Sequence, residues 1–255
     1  IIQILNPIGL FAFNLLAITF YCTPSLFFLK KFKFKSLIVL IFFISFFANY
    51  LYGNYLLNNN DKQSQSYVKE NKYINIKIIS PNFELKYNLS DKETLNRVKK
   101  LIRYSNIEKN KKTLFIWPEG ALSGKYFFEI AKYKGLIKEN FSKNHLIVLG
   151  INTLDKENDE FYNSMVVVDN NLDKKFQYNK IKLVPFGEFL PFKTYLEKIG
   201  LKKITEGFGS FSNGSITSSF SYDNLNIVPL ICYEIIFPEL IQKIKQGNNL
   251  LINIS

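Results

Sequence analysis

The sequence predicts an α/β domain preceded by two membrane-spanning helices, and three observations lead there. Two long, uncharged apolar segments, residues 8–29 and 36–57, lie near its start. After residue 58 the apolar character breaks into short runs that alternate with amphipathic stretches, the order expected when helices cover the faces of a sheet. Two of those runs deliver a reactive side chain directly at their ends, in Trp117-Pro118-Glu119 and in Ile231-Cys232.

Each apolar segment is long enough to cross a hydrocarbon core of about 30 Å. Between them lies Lys30-Lys31-Phe32-Lys33-Phe34-Lys35, while residues 1–57 hold no acidic residue. The positive-inside rule puts this short basic loop in the cytoplasm, so the chain after the second segment emerges on the far side. A signal peptide fails on length and on the presence of two spans. A buried pair of core helices is the weaker competitor, because uncharged stretches this long are unusual in soluble domains. The chain starts within apolar sequence and without Met, which reads as a piece of a longer membrane protein.

Residues 58–72 are polar, rich in Asn, Gln, Ser and Lys, and read as a linker to a domain over 73–255. Tyr73–Ser80 is a strand candidate and Asp91–Ile107 an amphipathic helix. Thr113–Trp117 reads as a strand, Tyr126–Phe141 as a helix and His145–Ile151 as a strand. Asn163–Asp169 is a further strand, and Lys174–Tyr178 pairs with it. Thr217–Tyr222 and Asn226–Ile231 are adjacent strands joined by a turn at Asp223-Asn224. Pro238–Gln246 is helical, and Leu250–Ile254 begins another strand. Alternation of this kind predicts helices on sheet faces.

Composition removes several functional classes. The net charge is +12, but there is no Arg-rich stripe and no zinc-ligand spacing, so no nucleic-acid partner is expected. The lysines read as a dispersed solvated surface. Cys22 and Cys232 lie in different regions and form no disulfide framework. With His145 the only histidine, a His-dependent triad would rest on it alone, and a His-based metal site is not expected. No metal and no cofactor is called for.

Three local motifs carry chemistry. In Phe115-Ile116-Trp117-Pro118-Glu119-Gly120-Ala121, Pro forces the chain out of the ladder and presents Glu119 at a strand end. Tyr178-Asn179-Lys180-Ile181-Lys182-Leu183-Val184-Pro185-Phe186-Gly187-Glu188-Phe189-Leu190-Pro191 carries two lysines and a second glutamate in a turn-rich setting. In Ile231-Cys232-Tyr233-Glu234-Ile235-Ile236-Phe237-Pro238-Glu239, a thiol follows a buried strand, where amide N–H groups and a helix opening favour thiolate. Taken alone, Cys232 reads first as a small buried hydrophobe. A carboxylate, an ammonium and a thiol at strand ends together make a base, an oxyanion partner and a nucleophile for acyl transfer through a thioester.

This ordered trio of Glu119, Lys180 and Cys232 resembles the nitrilase superfamily. Within it, WPEGA, YNKIKLVPFGEFLPF and ICYEIIFPEL resemble the bacterial apolipoprotein N-acyltransferase family. The likeness covers nearly the whole chain, and the membrane segments agree with that branch. The resemblance implies an α-β-β-α sandwich on a membrane helix bundle, periplasmic and attached to the bacterial inner membrane. It implies transfer of an acyl chain from a phospholipid to the N-terminal amine of a diacylglyceryl-cysteine lipoprotein. By motif, Glu119 is the general base, Lys180 the oxyanion-stabilising cation and Cys232 the nucleophile. Glu188 matches a second glutamate that supports the lysine, and Tyr233 and Glu234 match supporting positions beside the nucleophile. Lys182 reads as a solvated lysine and Glu239 as a helix N-terminal charge.

The chain departs from the family pattern in places. Members usually have more membrane helices before the domain and one after it. The segment Ser80–Tyr87 resembles a shortened form of their loop after the first strand, with Tyr87 where tryptophan is usual. The family continues beyond Ser255 with an Asn-rich loop. A membrane-tethered amidohydrolase, using water as second nucleophile, fits the same trio, and a catalytically dead binding module is the reading from outside enzymology.

Overall fold

The computed structural model describes residues 4–28, 33–69, 74–84, 86, 88–191, 210–215, 219–222, 225–237, 239–240 and 250–255. The chain divides into two compact units, Ile1–Tyr73 and Ile74–Ser255.

The first unit holds two long helices. α1 spans Leu5–Cys22, broken by a non-helical Gly9, and passes into a 3-10 turn over Thr23–Phe28. α2 spans Lys35–Lys69. Pro7–Leu26 and Lys35–Asn60 are each long and apolar enough to cross a membrane. Their surfaces are oily outward: Phe11, Leu15, Ile18, Phe43, Ile44 and Phe47 are all exposed. Phe20 stacks on Phe46 of α2 with ring centroids 6.0 Å apart. The hydroxyls of Thr19 and Thr23 donate back to the carbonyls of Leu15 and Thr19, at 2.7 and 2.8 Å, so polar groups on an apolar helix stay satisfied. In place of the expected linker, α2 continues through residues 58–69. A helix already nucleated extends at one backbone bond per residue, which weak local propensity does not stop. Residues 70–72 and the core of the basic loop, Lys30 to Phe32, lie outside the described residues.

The second unit is layered. A five-stranded sheet runs in the order β1 (Asn75–Ile78), β2 (Thr113–Ile116), β3 (His145–Asp155), β4 (Glu160–Val168), β5 (Lys174–Asn179). β1, β2 and β3 are parallel; β3–β4 and β4–β5 are antiparallel. A three-stranded sheet holds β6 (Phe220–Tyr222), β7 (Leu225–Ile231) and β8 (Leu250–Ile254), with β7 and β8 parallel. One face of the large sheet packs under α3 (Asp91–Tyr104) and α4 (Lys134–Asn140) through Phe115, Leu149, Ile151, Val166 and Val168. The other face meets the small sheet: Leu114, Ile116, Val148, Met165 and Val167 pack with Ile227, Ile231, Ile252 and Ile254. β2 is buried at every position, which is why Leu114–Ile116 reads as a continuous apolar run instead of an alternation.

α3 begins with a capping box, the Ser90 hydroxyl accepting from Glu93 N–H while the Glu93 carboxylate accepts from Ser90 N–H at 2.9 Å. The expected helix over Tyr126–Phe141 divides into a 3-10 stretch, Phe127–Tyr133, followed by α4. Phe127, Ile130 and Tyr133 recur every third residue, and a three-residue turn stacks them onto the core. β3 and β4 extend past the expected ends, because residues 152–155 and 160–163, polar at Asn152, Thr153, Asp155, Glu160 and Asn163, pair as a hairpin. The proposed Asp223-Asn224 turn and most of Pro238–Gln246 fall outside the described residues.

Candidate active site

β2 ends where Trp117 N–H makes a last ladder bond to the Val148 carbonyl, at 2.8 Å, and Pro118 has no N–H to continue it. Glu119 follows, and the chain turns through Gly120 at φ +69°. Arg97 of α3 fixes the far side of this turn, donating to the Ala121 carbonyl at 3.1 Å and to the Glu84 carbonyl at 2.7 Å. The near side is fixed by close approach to β3. A Cβ added at Gly150 would stand 2.7 Å from Glu119 Cα and 3.0 Å from Ile254 Cδ1, so only glycine lets the Glu119 backbone lie this close.

Lys180 follows β5. Its N–H donates to the Asn163 carbonyl at 2.9 Å, and its own carbonyl accepts from Gly214 N–H at 2.8 Å. The side chain is 1% exposed. Its Nζ lies 2.9 Å from Glu188 Oε1 and 3.8 Å from Glu119 Oε1. Glu188 is held by its own turn, its Oε2 accepting from Val184 N–H at 2.9 Å. Phe186, at the tip of that turn, takes φ +62°.

Cys232 occupies the first position after β7 and also lies in the left-handed region, at φ +54°. A non-glycine residue there is strained and persists only where its surroundings over-determine it. The restraint comes from Glu234, two residues on and 0% exposed. Its Oε2 accepts from Ile231 N–H and Tyr178 Oη–H, each at 2.9 Å. Its Oε1 accepts from Ile181 N–H at 2.7 Å and Lys182 N–H at 2.9 Å. One carboxylate therefore ties the strand carrying the thiol to the segment carrying the lysine. Tyr233 Oη donates to the Leu183 carbonyl at 2.8 Å, and its ring faces Lys180 Nζ with the centroid 5.6 Å away.

The electrostatics follow from burial. Desolvation drives the Glu119 pKa up; Lys180, Asn163 and the Cys232 thiol pull it back in part, and the net shift is upward. Burial alone would lower the Lys180 pKa, but the charges of Glu119 and Glu188 outweigh it and raise it, so the group stays an ammonium. The result is a carboxyl group whose proton affinity is raised above the ordinary carboxylate value, influenced by a thiol and sharing a cation.

All of Glu119, Lys180, Glu188, Cys232, Tyr233 and Glu234 are brought together. The Lys182 side chain pairs with Glu239 at 3.2 Å, while its backbone N–H donates to Glu234. Cys22 is exposed in the first unit. Tyr87 lies outside the described residues. His145 is fully buried at the head of β3, its Nδ1 accepting from Ser142 N–H at 3.0 Å and its Nε2 3.1 Å from the Glu108 carbonyl. Among the described residues no three His, Cys, Asp or Glu side chains gather to hold a metal ion. Gly150, Arg97 and Asn163 have roles that the sequence did not announce.

The carbon-nitrogen hydrolase family matches residues 75–255. The apolipoprotein N-acyltransferase of Rickettsia bellii is 30% identical over 261 residues, covering 100% of this chain and 50% of its own length. That of Rickettsia typhi is 38% identical over 146 residues, covering 56% of this chain and 29% of its own. An amidase from Nesterenkonia sp. AN1 superposes with a TM-score of 0.47 at 13% identity, covering 71% of this chain and 66% of that one. The chain thus spans about half the length, or less, of the curated relatives it matches. Through its second unit, the chain belongs to the carbon-nitrogen hydrolase family.

Proposed function

We propose that the chain carries the catalytic machinery of an apolipoprotein N-acyltransferase, moving a fatty acyl group from a phospholipid to the N-terminal amine of a diacylglyceryl-cysteine lipoprotein. The observation that carries this reading is the strained Cys232 beside the Glu119–Lys180–Glu188 cluster, in a chain matched along its whole length by the Rickettsia bellii protein. The two apolar helices support attachment to the bacterial inner membrane, with the basic loop cytoplasmic and the second unit periplasmic.

In the first half-reaction the Cys232 sulfur attacks the ester carbonyl of the phospholipid, and Glu119 accepts the thiol proton. The Lys180 ammonium stabilises the oxyanion of the tetrahedral intermediate. Collapse breaks the acyl–oxygen bond, Glu119 returns the proton to the leaving alkoxide, and a thioester remains. In the second half the lipoprotein amine attacks the thioester and yields its proton through Glu119. The carbon–sulfur bond breaks, leaving an amide and the regenerated thiol.

The test is intact-mass spectrometry of the chain in phospholipid-containing micelles. An acyl adduct on Cys232 is expected, absent in Cys232→Ala and discharged by a diacylated peptide with a free N-terminal amine. An unmodified Cys232 in folded protein that hydrolyses small amides would instead assign a membrane-tethered amidohydrolase.

A further inference from the structure

Asn163 lies in β4 on the face that meets the small sheet, the face of Met165 and Val167, and is 8% exposed. A primary amide in such a place is costly unless its donors are used. Here Nδ2 donates to Glu119 Oε1 and to Glu188 Oε1, each at 2.7 Å. These are the same two oxygens that Lys180 Nζ faces at 3.8 and 2.9 Å. Two nitrogens and two oxygens thus alternate around a closed four-membered arrangement, one nitrogen charged and the other neutral. The backbone of Asn163 enters it too, its carbonyl accepting from Lys180 N–H at 2.9 Å.

We propose that Asn163 is a positioning residue that holds the two carboxylates at a fixed separation on one lysine and thereby leaves Glu119 free to exchange a proton with Cys232. The inference rests on the reading of Glu119 as the base. Its logic is one of charge counting. Two carboxylates confront a single ammonium, so the cluster carries an excess negative charge and its oxygens repel. A second cation in place of Asn163 would neutralise both carboxylates and leave Glu119 a weak base. An aspartate would set three carboxylates against one lysine, and an apolar side chain would leave the repulsion opposed by Lys180 alone. An amide supplies two donors and no charge, which steadies both oxygens without quenching either. The charged and titratable groups facing Glu119 are Lys180 after β5, Glu188 in the 184–189 turn and Cys232 after β7; Tyr233, beside Cys232, faces Lys180.

The experiment measures Cys232 alkylation by iodoacetamide between pH 5 and 9, read by peptide mass, in the full chain in detergent micelles. The variants are Asn163→Leu, Asn163→Ser and the control Glu119→Gln, with folding followed by Trp117 fluorescence. Losing hydrogen bonds to a carboxylate favours its protonated form. Asn163→Leu should therefore move the acidic limb of the rate profile upward by about one pH unit. Asn163→Ser, which keeps one donor and is the milder change for folding, should move it by less. An unshifted limb in folded variants, or a loss of rate equal at every pH, would reduce Asn163 to a packing role and overturn the inference. If Glu119→Gln alkylates with the parent profile, the base assignment falls and the inference with it. A slowed control with unshifted Asn163 variants overturns the inference alone.

Discussion

Replacing Glu234 offers the sharpest test of how the thiol is held. Four donors converge on its two oxygens: Ile231 N–H, Tyr178 Oη–H, Ile181 N–H and Lys182 N–H. In Glu234→Gln the amide group must replace one oxygen. At the Oε1 position it would face two main-chain N–H groups, neither of which can turn. At the Oε2 position the Tyr178 hydroxyl can rotate to accept, and only Ile231 N–H loses its partner. The second orientation wins, so the cost is one buried unsatisfied donor plus weakened charge assistance, about 2–3 kcal/mol. Glu234→Ala strands all four donors and leaves a cavity, so its cost should exceed that of Gln by at least about 2 kcal/mol. Trp117 is the only tryptophan and is buried in the second unit, so urea unfolding followed by its fluorescence reports on that unit alone. The expected order of midpoints is parent, Gln, Ala. A Gln variant within about 0.5 kcal/mol of the parent, or an Ala variant no worse than Gln, would refute the accounting. Tyr178→Phe in the Gln background should cost less than in the parent, because the hydroxyl is already a compromised partner.

Other outcomes follow from single features. Gly150→Ala would push the Glu119 backbone outward, and should slow Cys232 alkylation at least tenfold while lowering stability by about 1–3 kcal/mol; unaltered alkylation would mean the loop yields freely. Because burial raises the Glu119 pKa above 4.5, the acidic limb of thioester formation should lie above the ordinary carboxylate range, and Glu119→Gln should abolish that limb in a stopped acylation assay. The buried neutral His145 has a pKa held below 6.5 by desolvation. The unfolded chain therefore binds the proton first as pH falls below about 6.5, and stability declines with it. The urea midpoint should drop between pH 7.5 and 5.5, and His145→Gln should flatten that dependence.

The residues that could be read from sequence share a trait: each announces itself by breaking a local pattern. Glu119 follows a strand stopped by Pro118, Lys180 and Glu188 sit in a proline-punctuated turn, and Cys232 ends an apolar strand. Asn163 breaks nothing. It is a polar residue inside a strand, and its partners Glu119 and Glu188 lie 44 and 25 residues away along the chain. Gly150 likewise looks like a weak point in β3 until the Glu119 backbone is seen against it. Arg97 reads as one more surface cation of α3, though its guanidinium spans the Ala121 and Glu84 carbonyls and lies 4.7 Å from the centre of the Phe83 ring. Strand ends diverged for a related reason: residues 152–155 and 160–163 pair as a hairpin in which only Leu154, Phe161 and Tyr162 are apolar, too few for apolar periodicity to register.

Glu119 and Lys180 are carried by the large sheet, whereas Cys232 is carried by the small one. Between them lies an interior of Leu114, Ile116, Val148, Met165, Ile252 and Ile254, with no chemistry of its own. That interior acts as the spacer that sets the gap between sulfur and carboxylate, much as a shim sets the clearance between two machined parts. A methylene added or removed at Met165 or Ile252 alters that clearance without touching any reactive atom. Under the proposed reaction, trimming such a side chain is a way to detune the proton transfer, and the rate becomes a gauge of how tightly the two sheets are seated.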